Sequence, residues 1–442
     1  MELAVNHSAD LMIYCYIRII RVKAVLSSVK VRTMTASLSS DVPLPPPQTS
    51  LVSFSGRGGE FFKMLVTGSL FQIPTFGFYR FWLITKLRRH LWANTQVEGE
   101  SFEYTGTGKE LLIGFLIALA ILAPLYIGIF LASIVLEEKA AFASTPLFLI
   151  LYVLAHFGSY RARRFRTTRT VFRGVRFWMK GSGWAYAFRA VLWDFATLLT
   201  LGLALPWAMA SLERYRMRHT YFGNVQGDFS GTGWILFKRG WWIWVIIGVI
   251  VTPITFFLLT VSNFAHSGRG VEIATAIVAV LMLTYIALGP VAVAIFTRWH
   301  IDGLRFGDVV ASSELRAGAV YGLFFKVIFS SIGYSIAFGA VFAIGAFGIG
   351  MFLQEGLADL QAGEWTGGAI TLGVLAAIAY LVFLLGFGVI QRYFFGRGLW
   401  AAIASTTAVS NLRSLSGAIA AGRPTGSMGE GLADALDFNV GI

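Results

Sequence analysis

Thr75-Phe-Gly-Phe-Tyr-Arg-Phe-Trp-Leu-Ile-Thr-Lys-Leu-Arg-Arg89, then Gly99-Glu-Ser-Phe-Glu-Tyr-Thr-Gly-Thr-Gly108, run almost directly into the apolar block 111–136. An aromatic turn and a basic run precede a patch that alternates polar with aromatic residues and closes on glycines. A stretch long enough to cross hydrocarbon follows, since about 20 apolar residues span ~30 Å. The alternating patch predicts a short hairpin or edge element packed beneath helices. Further apolar blocks occupy 142–159, 241–265, 271–297 and 366–391, and a longer tract covers 317–353. Glycines 345, 348 and 350 could break that tract into a span and an interfacial or re-entrant piece; otherwise it is one long tilted helix.

Composition agrees with this reading. Of 442 residues, 56% are hydrophobic and 13% charged, with a mean hydropathy of +0.69. Soluble domains carry about 25% charged residues, so a water-covered globule is excluded. The net charge of +13 would suggest nucleic acid in a soluble protein. Here the basic residues cluster in short loops beside apolar blocks, which the positive-inside rule explains without nucleic acid. A single cysteine, Cys15, excludes an intramolecular disulfide and a cysteine metal cluster.

Lys86, Arg88, Arg89 and Lys109 before block 111–136 place the 86–109 loop inside, as Arg161, Arg163, Arg164, Arg166, Arg169, Arg173 and Arg176 do for 160–184. By the same rule 212–240 and 298–316 lie inside, and 137–141, 266–270 and 354–365 outside. Segments 61–82 and 185–211 are apolar but do not fit, because 185–211 has basic loops at both ends. The expectation is six crossings plus two re-entrant or interfacial elements, with eight crossings as the alternative.

Those two segments share a pattern. Thr75, Gly77, Trp82, Leu87 and Arg89 recur 125 residues later as Thr200, Gly202, Trp207, Leu212 and Arg214. Thr95, Gly99, Phe102, Gly106 and Gly108 recur 75 residues later as Thr170, Gly174, Phe177, Gly181 and Gly183. Looser copies contain Gly223, Gly231, Thr232 and Gly233, then Gly303 and Phe306. The fold expected is an all-α polytopic membrane protein, with internally repeated transmembrane helices joined by short cytoplasmic extended or hairpin connections. Trp82 and Trp207 should each pack beside its own threonine–glycine break.

Residues 1–50 read as an N-terminal extension outside the folded unit, ending in a Ser/Pro-rich linker with Pro43, Pro45, Pro46 and Pro47. Translation from Met34 is a second option. The transmembrane domain is expected over 51–415, with a flexible tail over 416–442.

The run Thr75–Trp82, Arg88-Arg89, the Gly99–Gly108 patch and the helix start at Glu110–Gly114 resemble the YjgN-like family of bacterial inner-membrane proteins, a domain of unknown function. The resemblance covers roughly 52–415 and implies a multi-pass protein of the bacterial inner membrane. It implies no catalytic residue.

Polar groups inside apolar segments are the first functional candidates, because burying them is costly. Lys326 lies within 317–353 and is the leading anion contact. Asp194 and Arg189 lie within 185–211 and could form a buried pair. Pro124, Pro206, Pro253 and Pro290 could kink helices along a pathway. His90, His219 and His300 have no metal-ligand spacing, and Ser182, Ser330 and Ser331 have no adjacent base, so no metal or cofactor is expected and a membrane enzyme ranks third among the readings. The Gly pairs lack the Gly-Lys-Ser/Thr of a phosphate loop. The expected partners are membrane lipids, contacted by Arg161, Arg163, Arg164 and Arg166, and a small-molecule solute. The leading expectation is transport or channel-like passage of a small solute; a lipid-contacting scaffold or assembly protein is the runner-up.

Overall fold

A computed structural model describes residues 49–136, 140–262, 270–352 and 354–422, with positions 426 and 432. The expected 1–50 extension falls outside these residues except at its last two positions, and the expected tail is described mainly over 416–422.

The all-α expectation is overturned by ten short strands. They are β1 (Thr49–Phe54), β2 (Thr95–Val97), β3 (Glu100–Tyr104), β4 (Thr170–Phe172), β5 (Val175–Met179), β6 (Thr220–Phe222), β7 (Val225–Phe229), β8 (Leu304–Phe306), β9 (Val309–Ser313) and β10 (Thr407–Ser410). Each pairs antiparallel with its chain neighbours, and β1 also pairs with β10, so the sheet closes into a barrel. The closing register sets Thr49 opposite Ser410 and Leu51 opposite Ala408. What the sequence shows as isolated hairpin connections is therefore one continuous sheet. Strands of three to six residues are too short to display a convincing period of two, which is why only the patch at 99–108 announced itself.

Tight turns join the hairpins. In the β2–β3 turn Glu98 and Gly99 have φ of 53° and 81°, and in the β4–β5 turn Arg173 and Gly174 have 50° and 75°. Two consecutive left-handed residues match the right-handed twist of the strands, and glycine at the second position avoids the Cβ penalty.

Helical segments leave the barrel between hairpins. α1 (Gly58–Gln72) and α2 (Arg80–Ala93) form one pair, α3 (Gly108–Leu136) and α4 (Ala140–Thr168) the next, followed by α5 (Gly183–Leu199) with α6 (Leu205–Arg218) and α7 (Gly233–Ser262) with α8 (Gly270–Gly303). The last excursion runs up α9 (Ala317–Phe352), through a short α10 (Gln354–Ala362), and back along α11 (Gly367–Ile390). A π-helical turn at Gln391–Arg397 then leads into α12 (Gly398–Ser405). The tract 317–353 is thus one helix across its glycines as far as Phe352, and Pro206 opens α6 rather than kinking it.

One connection recurs five times. The strands group into four hairpins (β2–β3, β4–β5, β6–β7 and β8–β9) and the closing pair β10–β1. The residue after each pair's second strand donates its backbone N–H to the carbonyl just before the first strand of the next pair. These bonds are Ser55 to Asn94, Thr105 to Arg169, Lys180 to His219, Ser230 to Gly303 and Glu314 to Thr406, all at 2.9 Å. The returning helix packs on the second strand of the pair it feeds: α2 on β3, α4 on β5, α6 on β7, α8 on β9 and α12 on β1. Successive helices pack side by side, and α11 packs on α1, so the helices form a closed ring above the closed barrel.

The barrel lumen is filled. Val97, Phe172, Phe222 and Leu412 are buried in one cluster with Val52, Phe102, Val175, Phe177, Phe306 and Val409 against them. Phe102 stacks on Phe172 at 4.7 Å and Phe177 lies 4.8 Å from Phe222. Leu415 and Ala418, at and just past the 3-10 turn Leu412–Leu415, join the same cluster and seat the C-terminal segment on it.

Candidate functional site

Five stretches among the described residues are long and apolar enough to cross a membrane: Gly108–Gly128, Gly233–Ile254, Thr275–Gly303, Ala317–Gly345 and Gly367–Ser405. The sixth expected span lies in α4 and is not among them; several side chains of its apolar half are outside the described set. The two segments that did not fit are helix–turn–helix excursions whose ends both return to the barrel. Their turns have matching geometry. Thr75 donates its hydroxyl to Phe71 O (2.6 Å) and accepts from Tyr79 N (3.2 Å); Thr200 does the same with Ala196 O (2.8 Å) and Ala204 N (3.0 Å). Gly77 and Gly202 have φ of 85° and 91°. At each tip the residue before the glycine is almost fully exposed: Phe76 at 92% and Leu201 at 91%.

Trp82 stacks on Tyr79, whose N–H meets the Thr75 hydroxyl, with ring centroids 6.5 Å apart, and Trp82 and Trp207 share a second kind of contact. Each lies against the glycine that opens the next long helix, Trp82 on Gly108 and Trp207 on Gly233. A Cβ at either glycine would come within 3.0 Å of the tryptophan, so the glycines provide the close approach. Arg89 and Arg214 complete the arrangement by donating to Gly106 O (2.8 Å) and Gly231 O (3.2 Å). The Thr200–Gly202 turn is instead met by Trp244, whose indole donates to Gly202 O at 3.2 Å.

A polar seam runs down one face of α4. Tyr152 and His156 both meet the Asp194 carboxylate of α5, at 2.6 Å and 2.9 Å. One turn further Tyr160 packs with Tyr186 and Tyr215, and its hydroxyl donates to Lys180 O. Below them Arg163 forms a two-pronged bond with Glu213 of α6 at 2.6 and 3.0 Å. Arg216 reaches the same carboxylate at 3.2 Å and donates its other terminal nitrogen to the Tyr186 hydroxyl. His300 of α8 lies 3.9 Å from Glu213. Burial works against the Glu213 charge, but Arg163, then His300 and Arg216, overcome it and hold the carboxyl down at about 2.

The sequence-stated candidates separate. Asp194 belongs to the seam, but not with Arg189, which stacks over the Tyr215 ring at 4.6 Å. Lys326 is exposed on α9 and has no ion-pair partner among the described residues. Of the arginines assigned to lipid, Arg163 is consumed by Glu213, Arg161 lies over Phe157 at 5.9 Å, and Arg164 and Arg166 are half-buried. Arg88 is buried and donates to the Tyr104 hydroxyl. Gly106 lies under Tyr104, Gly181 against His219 and Tyr160, and Gly183 against Phe157, while Gly99 and Gly174 serve hairpin turns. Tyr152, His156, Glu213, Arg216 and the role of His300 escaped the sequence reading. The one available signal was Glu213, the lone acid among Arg214, Arg216 and Arg218. Among the described residues no group of three or more His, Cys, Asp or Glu is placed to hold a metal.

A bacterial protein family of unknown function, DUF898, matches residues 49–296. The chain belongs to this family. It is similar to the inner membrane protein YjgN of Escherichia coli K12, 31% identical over 152 residues, covering 33% of this chain and 36% of the relative. The Salmonella typhimurium inner membrane protein YjgN is 26% identical over 139 residues, covering 30% and 33%. The aligned part thus spans about a third of the length of these relatives. No solved structure matches the chain. With its relatives and its five apolar helices, the family member is an inner-membrane protein. The family match ends inside α8, before the three strands that close the barrel.

Proposed function

We propose that this protein is a lipid-contacting scaffold of the inner membrane, the runner-up of the sequence reading, rather than a conduit through the barrel. One observation carries this: the barrel lumen is packed with phenylalanine and valine and seated against the 412–418 segment. A water-filled path would need a polar, open lumen. Basic residues gather at the barrel end of the helices, which by the positive-inside rule sets the barrel on the cytoplasmic side. Four helix–hairpin units, and a fifth excursion that ends in the closing β10–β1 pair, support descent from an internal repeat. Two have short helical pairs, whose apolar tips at Phe76 and Leu201 lie in the near half of the bilayer. A second reading, passage of a small solute beside α4 and α5, is favoured by the Tyr152–Asp194–His156 cluster.

Reconstitution of the full chain into liposomes tests both. Solute and ion flux should equal that of empty vesicles. Fluorophores attached at Phe76→Cys and Leu201→Cys should be quenched by lipids brominated on shallow acyl carbons and not by aqueous iodide. Flux above background that disappears in Asp194→Asn would favour passage, and quenching by iodide would remove the lipid-contacting reading.

A further inference from the structure

We propose that Arg163, Arg216 and His300 form a binding site for a tetrahedral oxyanion, a phosphate group, at the barrel end of the helical ring. This goes beyond the scaffold reading and does not depend on whether the chain conducts. The charges do not balance where these side chains meet. Glu213 is the carboxylate that both Arg163 and Arg216 contact, and its side chain is only 6% exposed. Two guanidiniums against one carboxylate leave a net positive charge even with His300 neutral. An uncompensated charge in such a place is costly, and a counter-anion removes the cost.

Hydrogen bonding points the same way. Nε of Arg216 and Nδ1 of His300 are buried without a partner among the described residues, and so is Nε of Arg164, one residue from Arg163. Buried polar atoms left unmatched call for a partner, an ordered water or an anion, and the excess positive charge here favours the anion. The terminal nitrogens of both guanidiniums are engaged by Glu213 and Tyr186, so the groups left to meet an anion are Arg216 Nε and His300 Nδ1, and a phosphate oxygen accepts from such N–H donors. A metal cation is disfavoured by the two guanidiniums. Access is available as well: the side chains of Arg163, Arg216 and His300 remain 26%, 26% and 25% exposed around the sealed Glu213. The carboxylate is the shared partner that aligns the guanidiniums, and these residues lie at the level of α4, α6 and α8 nearest the barrel. By the charge rule that level is the cytoplasmic headgroup region, so the phosphate could come from solution or from an anionic lipid.

Thermal unfolding of the full chain in detergent, with inorganic phosphate against chloride at equal ionic strength, gives the first arm. Native mass spectrometry of protein released from nanodiscs of phosphatidylglycerol or phosphatidylcholine gives the second. Saturable stabilisation by phosphate, retained phosphatidylglycerol, or both is expected; stabilisation alone assigns a free anion and retention alone assigns a lipid. Arg216→Gln should weaken the apparent affinity at least tenfold. Glu213→Gln removes the competing carboxylate, so phosphate should stabilise that variant more than the parent. Arg163→Lys keeps the charge but loses the fork, and should also bind more weakly; it serves if Arg216→Gln does not fold. No saturable response of the parent in either arm overturns the proposal. So does a response in Arg216→Gln or Arg163→Lys equal to the parent, or a smaller response in Glu213→Gln.

Discussion

The barrel treats its five strand pairs alike, four hairpins and the β10–β1 pair that closes the sheet, whereas the helices above it do not. Every pair is bound to its neighbour by the same 2.9 Å backbone bond, and every returning helix packs on its own second strand. Above that level two helical pairs stop after 14 to 17 residues per helix, while α3, α7, α8 and α9 run for 29 to 36. Backbone geometry is shared where closure demands it, because a missing ladder bond would leave strand edges unpaired. Length and side chains vary where lipid tolerates variation. The charged seam lies at the junction of the two levels, built by α4, α6 and α8, and its Arg–Glu–Arg arrangement has no second copy among the described residues.

The sharpest way to break the comparison is to attack the common core. Phe222→Asp should abolish folded protein, because a carboxylate would replace a ring that is 2% exposed inside the lumen; Phe172→Ala should cost about 3–5 kcal/mol. Folded yield by size-exclusion chromatography and thermal unfolding measure both. Retention of a stable fold by Phe222→Asp would show that the lumen is not the structural centre.

Next in size is the one-sided charge site. Glu213→Ala strands two guanidiniums and should cost about 3–5 kcal/mol. The same group predicts an acid limb. Its carboxyl is held at about 2 against an ordinary 4.5, so its stabilisation is complete above pH 4.5 and disappears as pH falls toward 2. The contribution is on the order of 3 kcal/mol. Unfolding temperature followed from pH 6 to pH 2.5 should drop over that window in the parent and be flatter in Glu213→Gln.

Smaller effects should test whether the short pairs are equivalent. Gly77→Ala and Gly202→Ala force a side chain into left-handed backbone and should each cost about 1–2 kcal/mol. Thr75→Ala and Thr200→Ala each lose a capping hydroxyl and should cost about 0.5–2 kcal/mol. Equal losses within each pair support a common turn; a smaller loss at Thr200 would point to the extra support from Trp244. Least of all, Lys326→Met should leave yield and unfolding temperature unchanged, since the side chain is exposed and without an ion-pair partner among the described residues.

How much was legible varies by element. The turns at Thr75–Gly77 and Thr200–Gly202 were visible because their chemistry is local: one hydroxyl, one glycine and an apolar tip. The helix-opening glycines 108 and 233 were visible as motif, but their partner was not, since Trp82 and Trp207 approach from another segment. The Asp194 site was half-read. Asp194 stood out within an apolar segment, while its partners Tyr152 and His156 lie 42 and 38 positions away and look like ordinary residues of an apolar helix.

Composition and block length by themselves determined that the chain lives in a membrane, because hydrocarbon thickness and the cost of charge act on any segment wherever it folds. Charge placement pointed to both ends of 185–211 lying on one side and left a crossing as the alternative; the structure returns both ends to the barrel. Barrel closure was decided only by tertiary structure: Thr49 meets Ser410 across 361 positions, and no local propensity of a six-residue strand can specify that partner. The same holds for Glu213, whose low pKa is made by residues on three helices. Sequence records which groups carry charge, but Coulomb energy depends on distance and burial, and both arise only when the ring has closed.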